Sequence, residues 1–369
     1  MNPTQNLGIY FHIPFCRSKC PYCDFYSVLS RESIGEYVNA IKDEIVSRRR
    51  VSDFVTDSAV SRKTDSVYFG GGTPSLIGEK HIADIISCAK SNFTVDENAE
   101  ITVEVNPSLS SPDEFFARIK EAGVNRASIG LQSAVDGERR ALGRISSAAD
   151  AEKAVRSAQK NGITDISLDI MLGIPQQTKE SLLYTLNFAL SLGVTHLSCY
   201  MLQIEPGTFF YRRRDKLVLP NEDETADLYL TMCSELKKRG MRRYEISNFC
   251  FGDNVSRHNM KYWTLAPYLG IGAAAHSFYN GHRFYFEPSI RDFADGKKAV
   301  FDSEGGGTEE EIMLLMRTDM GVPEGKIDGK KVDFVASLVK AGLLEKNNGR
   351  IRLTDSGCLV SNSVIAELI

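Results

Sequence analysis

The sequence predicts an α/β fold: a partial (β/α)6, TIM-like barrel followed by a C-terminal α+β domain of winged-helix-like pattern. Two observations carry this. Through about residue 240, apolar β-rich runs lead through polar turns into amphipathic helices that end at glycine, and six such units in succession favour a parallel sheet, open or curled. From residue 308 the texture becomes a compact helical pattern with an Asn-Gly turn near its end. The expected organisation is a barrel domain over 1–240, a connecting segment over 241–307 and a C-terminal domain over 308–369.

Candidate strands are 9–13, 66–69, 101–105, 127–131, 166–172 and 196–202. Between them, Ser33-Ile34-Gly35-Glu36 reads as a capping box and Pro112 suits a first helical turn. Ile82, Ile85, Ile86 and Ala89 share one helical face. Gly123, Gly162, Gly193 and Gly240 stand where a left-handed residue closes a helix. After Gly240, residues 244–249, 269–278 and 284–286 read as further strands or connecting structure, in no order that local pattern reveals. In the tail a helix ends at Gly342, and Asn348-Gly349 marks a hairpin.

Composition narrows the function. Lys and Arg number 44 against 48 Asp and Glu, a formal net charge of −4, so the concentrated positive surface that duplex nucleic acid requires is not expected. Short basic clusters at 48–50, 212–214 and 239–243 read as solvated helix ends or loops. The tail reads as a packing or lid domain rather than a DNA reader. No apolar run approaches the ~18 residues of a membrane span. The opening MNPTQNLGIYFHIPF lacks the basic start and cleavage site of a signal peptide, so a cytoplasmic protein with reduced cysteines is expected.

Cys16, Cys20 and Cys23 form C-x3-C-x2-C in the loop after the first strand. Bare thiolates so close would repel, and a reduced cluster of them is best explained by a bound metal. A structural zinc ion is the plainer alternative, but it normally takes four ligands, and no fourth Cys or His follows at finger-like spacing. Three cysteines on an iron–sulfur cluster leave one iron open.

That motif, after a first β-strand, resembles the radical S-adenosylmethionine (SAM) proteins, which implies a 4Fe-4S cluster on Cys16, Cys20 and Cys23 whose unique iron is chelated by SAM. Other parts recur in order: Gly70-Gly71-Gly72-Thr73-Pro74 after the second strand, Glu104 in VEVNP, Gln132 in IGLQS and Asp169 in LDIMLGIP. Within that superfamily the pattern is most similar to the oxygen-independent coproporphyrinogen III oxidases and their relatives, the HemW-type heme chaperones. The resemblance implies SAM contacts from Tyr10, Tyr22, Gly71, Gly72, Thr73, Glu104, Gln132, Arg144 and Asp169, with Tyr10 beside the cluster and Arg144 free to pair with a carboxylate.

Two departures separate the chain from the oxidases. They resemble C-x3-C-x2-C-x-C, whereas here Asp24 is followed by Phe25, and they carry a longer segment ahead of the cluster than the fifteen residues before Cys16. Residues 257–263, RHNMKYW, match an H-N-x-x-Y-W motif whose resemblance implies heme contacts from His258, Tyr262 and Trp263. A neutral imidazole can ligate heme iron, and aromatic rings can cover a macrocycle.

The expected function is therefore a heme chaperone that binds heme, a 4Fe-4S cluster and SAM and hands heme to acceptor proteins. The alternative is an oxidase that removes propionate carboxyls from coproporphyrinogen III to leave vinyl groups. The resemblance also implies a low-potential electron donor such as a flavodoxin or ferredoxin, and it accommodates a homodimer. Cys88, Cys199, Cys233, Cys250 and Cys358 read as packing residues, and His276 as a weak cofactor-site candidate.

Overall fold

The computed structural model describes residues 5–56 and 58–369. Six parallel strands lie side by side in chain order: β1 (Leu7–Ile13), β2 (Thr64–Gly71), β3 (Val95–Val105), β4 (Arg126–Gln132), β5 (Asp165–Leu172) and β6 (His196–Met201). Each of the first five contains its expected run, and β6 ends at Met201, one residue short of the expected 196–202. Helices 34–47, 79–92, 112–122, 148–160 and 179–191 make the crossovers. One side of each strand packs on these helices; Ile9, Phe11, Val67, Phe69, Val103 and Ile129 join one continuous core. The alternate side, with Tyr10, Tyr68, Glu104, Ser128 and Asp169, turns inward.

Helix boundaries follow local chemistry. Ser147, Thr178 and Asn221 form capping boxes with Asp150, Ser181 and Glu224. Pro112 opens its helix as expected. Ser33 precedes the first helix, but its side chain makes no cap: its backbone sits at φ −93°, ψ 5° rather than in the extended conformation that aims a capping hydroxyl at the helix. Gly123, Gly162, Gly193 and Gly240 all have positive φ.

The stretch read as a connecting segment is built into the sheet at both edges. β7 (Arg242–Glu245) and β8 (Asn248–Cys250) extend it beyond β6, with β8 antiparallel to β6. β9 (Tyr268–Ile271) pairs parallel with β1 on the opposite side, followed by β10 (His276–Tyr279), β11 (His282–Tyr285) and β12 (Val300–Glu304). Between the edges, helix Arg257–Trp263 crosses the N-terminal ends of the strands and floors the barrel.

The C-terminal region carries helices 308–315 and 332–340 and a three-stranded antiparallel sheet of β13 (Val322–Pro323), β14 (Leu344–Asn347) and β15 (Arg350–Leu353). Asn348 and Gly349 both have positive φ, as the tight hairpin requires. Helix 308–315 packs on the floor helix. Arg243 also ties this region to β7, reaching Asp355 Oδ1 at 2.9 Å and the Leu353 carbonyl at 3.1 Å. Among the described residues, no helix is long and apolar enough to cross a membrane.

Candidate cofactor cavity

A cavity of about 730 Å³ opens at the C-terminal ends of the strands. That volume suits a nucleotide-sized ligand. One wall is the loop after β1, which contributes Cys16, Cys20, Tyr22 and Cys23. All three thiols are free and half-buried. Burial pushes the Cys23 thiol up, and the neighbouring Cys20 and Cys16 add to the rise, opposed by Lys19. Arg144 Nη1 donates to Cys20 Sγ at 3.8 Å, and its Nη2 holds the Gly130 carbonyl at 2.9 Å. Arg144 Nε is buried without a partner.

The glycine turn leaves β2 directly beneath that loop. Gly72 N–H donates to the Ile13 carbonyl at 2.9 Å and Thr73 N–H to the Phe15 carbonyl at 2.8 Å. A Cβ on Gly72 would come within 2.9 Å of both carbonyls, so the two backbones touch because no side chain intervenes. Thr73 Oγ1 lies 3.5 Å from Cys16 Sγ.

The opposite wall carries acid. Glu104 accepts from the Tyr68 hydroxyl at 2.9 Å and from the Gly71 N–H, while Asp169 accepts from Ser128 at 3.0 Å. Burial, with Asp169 next, holds the Glu104 carboxyl up at about 7; burial likewise lifts Asp169 to about 6. Each touches the cavity, yet neither forms a salt bridge with any described residue. Two buried acids without a direct ion pair, sharing one space with three thiols, fit a cationic ligand anchored to a thiolate-bound group. SAM has both an ammonium and a sulfonium charge. No group of three or more His, Cys, Asp or Glu side chains among the described residues is arranged to hold a single metal ion; a cluster instead spreads its thiolates over separate irons.

Tyr22, Gly71, Gly72, Thr73, Glu104, Gln132, Arg144 and Asp169 all line the cavity with the cysteines. Tyr10 does not; it lies deeper, stacked on Tyr68 and hydrogen-bonded through its hydroxyl to His12 Nδ1 at 3.2 Å. Arg144 contacts a sulfur and a carbonyl rather than a carboxylate. Tyr68, Ser128, Gly130 and Tyr200 line the wall without having been singled out. Their signal was polar or glycine residues at alternate positions in strands buried on both sides, as in Ser128-Ile129-Gly130 and Ser198-Cys199-Tyr200.

The H-N-x-x-Y-W helix lies away from this wall. His258 is fully buried, with Nδ1 bonded to Ser66 Oγ and Nε2 to the Tyr262 hydroxyl, each at 3.0 Å. Burial pushes it down to about 3, so it is neutral. Glu100 accepts both the Arg257 and His258 N–H groups at the helix start. Lys261 reaches Asp65 at 2.6 Å and the Asn6 carbonyl at 2.9 Å. Tyr262 and Trp263 are half-buried. In this conformation His258 has neither a free nitrogen nor room for a macrocycle, and the segment does not fit an open heme site. His276 is exposed, stacked on Tyr285, and outside the cavity wall.

A barrel with a three-cysteine loop at its mouth defines a class, and the family model of the radical SAM superfamily matches residues 10–189. The heme chaperone HemW of Mycobacterium tuberculosis is 31% identical over 381 residues, covering 100% of this chain and 96% of that protein. HemW of Bacillus subtilis is 31% identical over 380 residues, covering 98% of each. The chain belongs to the HemW family of the radical SAM superfamily. In fold it matches the radical SAM enzyme coproporphyrinogen III oxidase of Escherichia coli, with a TM-score of 0.81 at 21% identity over 99% of this chain and 90% of that one.

Proposed function

We propose that the chain is a heme chaperone that carries a 4Fe-4S cluster on Cys16, Cys20 and Cys23, binds SAM in the cavity and passes heme to acceptor proteins. One observation supports the cofactor assignment above all: three half-buried thiols share one cavity with two buried carboxyl groups that have no salt-bridge partner among the described residues. Support for heme comes from full-length similarity to proteins named heme chaperones. When bound, the cluster and nucleotide would supply one-electron chemistry.

The chain's own residues position and shield. Gly72 and Thr73 fix the thiol loop to β2, Glu104 and Asp169 offer negative charge to an ammonium or sulfonium, and Arg144 sets a positive charge beside Cys20. Tyr68 holds the Glu104 carboxyl in place. With both His258 nitrogens engaged by Ser66 and Tyr262, the floor helix as folded offers heme iron no axial bond.

Anaerobically reconstituted protein tests the whole proposal. Iron and acid-labile sulfide should be present with a spectrum that responds to SAM, heme should bind stoichiometrically with a Soret band and pass to an apo-acceptor, and coproporphyrinogen III should not be consumed. Zinc without sulfide would refute the cluster. Turnover of coproporphyrinogen without heme retention would establish the oxidase reading.

A further inference from the structure

Three basic clusters stand out in the sequence, and the fold treats them differently. In the first, Arg49 and Arg50 pair with Asp43 and Glu44. In the third, Arg239, Arg242 and Arg243 pair with Glu235, Asp319 and Asp355. Arg212, Arg213 and Arg214 have no salt-bridge partner among the described residues, and all three are exposed. Two of the guanidiniums stack on aromatic rings. Arg213 lies over the Phe209 ring at 4.8 Å and Arg214 over the Tyr211 ring at 4.7 Å, with those rings 46% and 37% exposed.

This segment leans on the thiol loop. Phe210 N–H donates to the Pro21 carbonyl at 2.9 Å, between Cys20 and Cys23, and the Phe210 ring packs against Tyr22 at 6.3 Å. The loop adds Arg17 and Lys19, and Arg31 lies on the same cavity rim; these too are exposed and without salt bridges among the described residues. Lys19 donates only to the Ser27 hydroxyl and the Phe25 carbonyl. Asp24, Glu32, Glu205 and Asp215 are the acids in these two segments. On a chain of net charge −4, six cations without salt-bridge partners among the described residues outnumber those four acids around an aromatic patch, a surface complementary to an acidic partner.

We propose that this face docks an acidic, low-potential redox protein that reduces the cluster. The proposal rests on the cluster assignment made above. Docked there, the donor lies against the loop that holds the thiols. One electron leaves the donor's reduced iron–sulfur centre and enters the cluster; no bond is made or broken.

The test uses full-length reconstituted protein and reduced acidic ferredoxin, followed by stopped-flow absorbance with EPR endpoints. The R212E/R213E/R214E variant, matched for iron and sulfide, should be reduced by ferredoxin about tenfold more slowly than wild type. Wild type should slow as salt rises from about 0.05 to 0.5 M, and the variant should not. Arg49→Glu, on another face, should behave as wild type. Sodium dithionite should reduce all three proteins equally.

An unchanged ferredoxin rate in the triple variant would overturn the docking surface while leaving the cluster intact. Wild type that dithionite cannot reduce would refute the cluster and the docking proposal together. A variant that loses heme uptake but keeps its ferredoxin rate would give the patch to the porphyrin carboxylates instead.

Discussion

Glu104 forms no salt bridge with any described residue, and its raised pKa has a direct consequence. From about 4.5 to about 7 the folded chain holds a proton that the unfolded chain releases, so this group's contribution makes the protein by itself less stable as pH rises through that window. A cation in the cavity reverses the preference. SAM should therefore bind roughly three- to tenfold more weakly at pH 6 than at pH 8, and Glu104→Gln should flatten the profile in calorimetric titrations. An unaltered slope in that variant would place the titration on another group. His258 invites the opposite kind of test. Replacing it with Ala strands Ser66 and Tyr262 inside the floor and should cost on the order of 2–4 kcal/mol in denaturant unfolding. Where the variant folds, its heme Soret band should match wild type, and a shifted band would mean that the floor opens to ligate iron.

Helix 209–212 supports the thiol loop through a satellite core of Leu142, Met171, Ile174 and Phe210, separate from the main one. Phe210→Ala removes its central ring, which should cost about 3–5 kcal/mol locally. Iron should leave the reconstituted variant faster, measured by chelator challenge, while the main thermal transition moves less than the iron-release rate. The six barrel strands and their helices were legible because each repeats a local period and a local stop signal. For the edge strands β7 to β12 the sequence offered the runs 244–249, 269–278 and 284–286 but no order: they are short, and β9 finds its partner β1 about 260 residues away, which no local pattern encodes. The thiol loop, the glycine turn and the strand-end acids announced themselves by residue type. His258 was read from its motif as a ligand, because nothing in the motif says that Ser66 and Tyr262 occupy its nitrogens.

Across the whole molecule, the floor helix is held from two sides, by the strand ends above and by helix 308–315 of the C-terminal region. Arg243, with 13% of its side chain exposed, is one of several polar ties between that region and β7, beside the Arg242–Asp319 ion pair and the Asp319 N–H donated to the Tyr244 carbonyl. Arg243→Ala should cost about 1–3 kcal/mol and raise the rate of limited proteolysis in the Gly305-Gly306-Gly307 linker. A chain cut at residue 240 should be insoluble or partly unfolded by circular dichroism, since β1 loses β9, and Ser66 and Glu100 lose the floor. The same geometry sets a schedule for biogenesis. A ribosome releases the thiol loop long before it releases the helix that seals the opposite end, so the nascent polypeptide displays its sulfurs on an unfinished vessel. A cluster of the kind proposed would therefore be inserted after translation ends, into a finished receptacle.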